Sequence, residues 1–114
     1  MGAFVISKRF NDEYKFVFTS RKGKPIFSST SYELKFECED GIALFKENID
    51  NCQFVKHKSA SGKYFFKLML NDVLFAISRK YSTELMLAKG INEITKYAVK
   101  SETLDFSESD SIFG

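Results

Sequence analysis

Tryptophan is absent from this 114-residue chain, proline and histidine each occur once, and cysteine occurs twice. Each scarcity excludes something. A single histidine, His57, leaves no partner for a multi-histidine metal centre; it stands between Lys56 and Lys58 on an expected strand and reads as structural. Cys38 and Cys52 are too few and too far apart for a disulfide framework or a zinc knuckle, which makes a reduced, cytoplasmic setting the expectation. No run approaches the roughly 18 apolar residues needed to cross a bilayer, so no membrane partner is expected. Met1–Ser7 is apolar but lacks the basic start and cleavage site of a signal peptide. It also misses the myristoylation pattern by one place, with Ile6 where Ser or Thr is needed and Ser7 following.

Charge of one sign is scarce as well. The formal net charge is +2, and the last stretch, Ser107–Gly114, holds two of the fifteen acids and no base, leaving 17 bases against 13 acids in the body. That excess is too small to argue for nucleic acid. The body, residues 1–106, reads as one domain, and 107–114 as an acidic, Ser-rich, flexible tail. From charge alone the tail is a candidate cover for a basic sheet face.

What the chain does have is phenylalanine, 13 of them, with 5 tyrosines, in short alternating runs that favour sheet. It also has an internal repeat. Phe4-Val5, Lys8, Tyr14 and Phe16 recur 50 residues later as Phe54-Val55, Lys58, Tyr64 and Phe66; Tyr32 and Gly41-Ile42 recur 49 later as Tyr81 and Gly90-Ile91. One residue is therefore missing near Arg21–Gly23 or its counterpart, and the repeats span about 2–51 and 52–106.

Strands are expected at Ala3–Lys8, around Tyr14–Thr19, at Ile26–Ser29, Cys52–Lys58, Tyr64–Leu70, Val73–Ser78 and Thr103–Phe106. Arg21-Lys22-Gly23-Lys24-Pro25 and Asn71-Asp72 read as turns, with Pro25 suited to the first position of an edge strand. Apolar residues then change period: Leu34, Cys38, Ile42, Phe45 and Ile49 mark one face of a helix from about Glu33 to Asn48. Thr30 to Glu33 fits a capping box. A second helix, about Ser82 to Tyr97, repeats that face as Leu87, Ile91, Ile94 and Ala98. Gly41 and Gly90 interrupt both helices at the same place, which implies close approach of helix backbone to sheet.

The tandem pattern resembles the YegP-like family of small bacterial proteins, a domain of unknown function. It rests on Lys22-Gly23-Lys24-Pro25-Ile26, Ser29, Tyr32 and Cys38–Ile42 in the first repeat. In the second it rests on Ser61-Gly62-Lys63-Tyr64-Phe65-Phe66, Ser78, Tyr81 and Gly90-Ile91, with Asn71-Asp72-Val73 standing where the turn usually carries Gly. The resemblance implies an α+β fold. Two β-β-β-α-β units would form a single antiparallel sheet with two helices on one face and exchanged last strands, here Cys52–Lys58 and Thr103–Phe106. It implies no activity.

Nothing in the sequence groups a nucleophile, base and acid, so no catalytic, cofactor or metal residue is assigned. Cys38 lies on an apolar helix face with Glu37 and Glu39 beside it, which raise a thiol's pKa. Glu37, Glu39 and Asp40 fit the positive end of a helix dipole without any metal. Ser59–Lys63 lacks the glycine spacing of a phosphate loop. The candidate interaction surface is the sheet face away from the helices, where Lys15, Val17, Phe65, Lys67 and Met69 fall. A protein partner or self-association is the leading expectation for it, with single-stranded nucleic acid as the alternative and thiol redox chemistry a distant third.

Overall fold

Alternating phenylalanines build the core. The computed structural model describes residues 2–108, in which Ala3–Lys8 (β1) and Tyr14–Thr19 (β2) pair antiparallel with Phe4 opposite Phe18 and Ile6 opposite Phe16. All four side chains are completely buried, while Val5, Lys15 and Val17 between them are half-buried. Period two thus gives one face to the core and the other to solvent. Pro25–Ser29 (β3) continues the sheet, followed by the helix Lys35–Glu47 (α1), then Gln53–Lys58 (β4), Tyr64–Leu70 (β5), Val73–Ser78 (β6), the helix Glu84–Tyr97 (α2) and Glu102–Asp105 (β7). A 3-10 turn follows each helix.

The seven strands form one sheet in the order β4-β5-β6-β3-β2-β1-β7, so that the halves meet where β3 pairs β6. Cys38, Ile42 and Phe45 of α1 and Leu87 and Ile94 of α2 join one core with Phe4, Phe16, Phe18, Phe27, Phe66 and Leu68. Register puts those strand residues on the same face, and both helices therefore lie there. The first half packs rings on rings, with Phe4 and Phe18 4.8 Å apart between centroids, and Phe45 stacks at 5.4 Å on Phe75, which β6 of the second half supplies. The second half uses Leu68, Leu70, Leu87 and Ile94 instead.

Local hydrogen bonds answer each other across the halves. The Phe16 N–H donates to Ser29 Oγ and the Phe66 N–H to Ser78 Oγ, both at 2.9 Å. Each serine hydroxyl in turn donates to a carbonyl one residue on, that of Thr30 or Arg79. Tyr32 exchanges backbone hydrogen bonds with Tyr14, and Tyr81 with Tyr64, just before each helix begins.

Three features depart from expectation. The helix does not start from a Thr30–Glu33 capping box, because Thr30 N–H is engaged by Phe75 and Tyr32 is tied to β2. Leu34 occupies the cap position instead, and its own N–H donates to the Glu37 carboxylate at 3.1 Å. In α2, Thr83 Oγ1 accepts from Met86 N–H at 3.1 Å. The glycines are required by a tyrosine rather than by the sheet backbone. A Cβ on Gly41 would sit 2.5 Å from the Tyr32 hydroxyl, and one on Gly90 would clash with the hydroxyl of Tyr81. Pro25 does stand first in its strand, but β3 is central; its missing N–H falls at a register shift beside Thr19, where pairing is irregular.

The sheet is also not wholly antiparallel. β7 runs parallel to β1, with Ala3 opposite Glu102 and Val5 opposite Leu104. Backbone pairing with β1 places it, and Lys35 beside it reaches Asp105 at 3.0 Å and Glu108 at 2.9 Å. β7, the strand that follows α2, pairs with β1, and Cys52–Lys58, the strand that follows α1, supplies β4, which pairs with β5 in the register that β1 keeps with β2. A parallel partner is what a strand entering after α2 meets at the edge left by β1. Glu108 thus binds α1 on the helical side and not the open sheet face; the rest of the expected tail lies outside the described residues.

Candidate functional site

Alternation along each strand puts Lys15, Val17, Phe65, Lys67 and Met69 on the face opposite the helices, all half-buried. The structure does not bring them into one cluster. β2 and β5 are separated by β3 and β6, about 14 Å from centre to centre at normal strand spacing. What joins them is a transverse row read from the pairings: Leu104, Val5, Val17, Ser28, Ile77, Lys67 and Val55, one residue from each of the seven strands. Ile77 and Val55 are 41% and 39% exposed, unusual for β-branched apolar side chains on a sheet that could have been polar outward.

Five of the row's seven members escaped the sequence-based selection, although the repeat could have found most of them. Val5 and Val55, Val17 and Lys67, and Ser28 and Ile77 are the same repeat positions. The row is therefore nearly symmetric about the β3–β6 seam, with Leu104 added at one end. Its charge is not symmetric, since Lys67 stands where the first half has Val17.

Beside the row, His57 stacks flat on Phe65 with centroids 5.3 Å apart and planes 19° from parallel. One side of the only aromatic ring among the five expected residues is thereby covered. Met69 faces Gln53 and Lys15 faces Ser7, both on the same side of the row but on strands that β3 and β6 separate.

The cysteines are poorly placed for chemistry. Cys38 is completely buried, and its thiol is pushed up to about 12, by burial first and then by the charges of Glu39 and Asp105. Burial also raises Cys52, whose Sγ donates to the Asn48 carbonyl at 3.3 Å. Among the described residues no three His, Cys, Asp or Glu side chains converge as a metal site, and no helix is long and apolar enough to cross a membrane.

No family model matches the chain. Curated relatives do: it is 31% identical to the UPF0339 protein YegP of Escherichia coli K12 over 108 residues, which is 90% of this chain and 98% of that protein. It is 28% identical to the YegP of Yersinia pestis, across 94% and 97% of the two chains. The solution NMR structure of the E. coli protein, described as of unknown function, superposes with a TM-score of 0.81 at 24% identity, covering 93% of both chains. That of a UPF0339 protein from Shewanella oneidensis gives 0.82, also at 24% identity, over 93% and 92%. At that identity the structural likeness speaks for the fold alone.

Proposed function

The chain belongs to the UPF0339 family, and from that fold we propose that it is a non-catalytic interaction module which docks a different protein on its open sheet face. The observation that carries this reading is the row from Leu104 to Val55. It spans the whole sheet, about 29 Å for six strand spacings, the width of an ordinary protein contact, and five of its seven members are apolar where solvent alone would favour polar side chains. Its occupant is another protein rather than a second copy. Two copies stacked face to face set Lys67 opposite Val17 or opposite another Lys67, and neither supplies a counter-charge. A partner with a flat apolar patch and one carboxylate facing Lys67 satisfies both demands.

Tandem duplication is the origin that best accounts for the near-symmetry of the face, and β7, crossing into the first half, closes the assembly. Two free thiols held in their neutral form suit a cytoplasmic setting and argue against redox work. Single-stranded nucleic acid is less well served: stacking of bases needs free rings, and His57 already occupies Phe65.

A photo-crosslinking side chain at position 77, introduced in cells, tests the proposal. A discrete protein adduct is expected from Ile77, lost with Lys67→Glu and absent when the crosslinker replaces Ala43 on the exposed side of α1. Salt-sensitive amide shifts at Lys15, Lys67 and Met69 on adding short RNA or DNA would replace this reading with the nucleic-acid one. A dimeric tumbling time would replace it with self-association.

A further inference from the structure

The two halves differ most at the turn between their second and third strands. In the second half Asn71 and Asp72, both at positive φ (52° and 62°), close the β5–β6 hairpin tightly. The hollow it leaves against α1, about 260 Å³, is lined by uncharged residues such as Leu44, Asn71 and Val73. In the first half the same hairpin carries Arg21-Lys22-Gly23-Lys24 and leans toward α2. Two hollows of about 420 and 290 Å³ open there and share Ser20 and Glu93.

Five cations line this double cleft: Arg21 and Lys22 at one end, Lys24, Arg79 and Lys89 at the other. None of them forms a salt bridge among the described residues. Arg79 is held over the Tyr81 ring at 5.3 Å, and the hydroxyl of that tyrosine packs against Gly90 of α2. Folding does not demand this crowd of like charge, because the matching half joins the corresponding strands without it. An anion supplies what is missing. Glu93, the single acid at the junction, is suited to accept from a ligand hydroxyl or amino group, and Tyr97 and Met86 offer apolar contact on either side.

We propose that the cleft between the 20–25 turn and α2 binds a phosphorylated small molecule of mononucleotide size, its phosphates among the five cations and its uncharged body toward Glu93 and Tyr97. The cleft has the volume of ordinary ligand sites, and lysine and arginine are the side chains that hold phosphate. It lies at the helical layer, apart from the open sheet face, so either site can exist without the other.

Calorimetry and amide-resolved NMR on the full chain, with ATP, AMP, inorganic phosphate and adenosine as probes, test this. ATP and AMP are expected to bind and to shift amides of Arg21–Lys24 and Lys89–Glu93, with affinity falling steeply as salt rises, while adenosine does not bind. Arg21→Gln with Lys89→Gln should weaken ATP at least tenfold at unchanged melting temperature. Replacing Arg21–Lys24 by the tight turn of the second half should do the same. Equal binding of adenosine, an unaffected double variant, or no binding by any probe would overturn the proposal. Tighter binding of a short oligonucleotide than of ATP at these residues would overturn it in favour of a nucleic-acid backbone.

Discussion

Set side by side, the two halves of this molecule share a scaffold and differ in what they place on it. Strand register, the serine that caps a buried N–H, the tyrosine bridge and the helix glycine recur with the same partners. The cores do not: Phe18, Phe27 and Phe45 answer to Leu68, Ala76 and Ile94. Nor do the turns, one basic and open, the other tight and without a base. Geometry that the backbone cannot do without is kept, whereas volume in the core and charge at the rim are free to diverge so long as neighbours adjust. What recurs is structural; what diverges is where specific recognition is to be sought.

The sharpest way to break the shared part is to fill a helix glycine. Gly41→Leu or Gly90→Leu drives a side chain into Tyr32 or Tyr81 and should cost about 3 kcal/mol each, seen as a lower midpoint in urea. The smaller Gly41→Ala separates two opposed effects. Alanine favours the helix by about 1 kcal/mol, but its Cβ meets the tyrosine hydroxyl at 2.5 Å. Net loss is therefore expected in the native background, and recovery when Tyr32→Phe removes the hydroxyl. Wild-type melting of Gly41→Leu would refute the packing described for both halves.

Next in size are the buried serines. Ser29→Ala and Ser78→Ala each orphan a buried N–H, that of Phe16 or Phe66, at about 2 kcal/mol. Nearly equal losses are expected despite the different cores, because the lost bond is the same. A loss confined to one half would show that the surrounding rings and not the hydrogen bond set the cost.

The smallest effect concerns the strand that only the first half acquires. Hydrogen bonds from Ser107 hold the Asp105 carboxyl below its ordinary range, with Lys35 adding to them. A depressed carboxyl stabilises the fold above that range, and the contribution is lost as protons return. Protection of β7 amides, taken relative to their intrinsic exchange rate at each pH, should thus fall as pH drops below about 4, while that of β4, the other edge, stays level. Lys35→Met should shrink the β7 response, and an identical response at both edges would detach it from Asp105.

Much of the scaffold was legible in residues alone. Alternating aromatic and apolar residues marked β2 and β5 to within a residue, the run Ala3–Lys8 marked β1, and the change to helical spacing at Cys38, Ile42 and Phe45 marked the packing face of α1. Other features were hidden because their partners lie far along the chain. Thr30 looks like a helix cap until Phe75 takes its N–H. Gly41 looks like a contact with sheet until Tyr32 is seen against it. Lys15 and Lys67 look adjacent in a list of outward residues, yet two strands intervene.

Local pattern by itself determined the strands, the helices, their buried faces and the family to which they point, since alternation and helical period are properties of neighbouring residues. Only tertiary structure decided that β7 would lie parallel to β1, that seven strands would align one apolar row, and that Arg21 and Lys89 would line one cleft. Those outcomes depend on which chain segments meet after the core closes, and burial of phenylalanine drives that closure without regard to what it brings together at the surface.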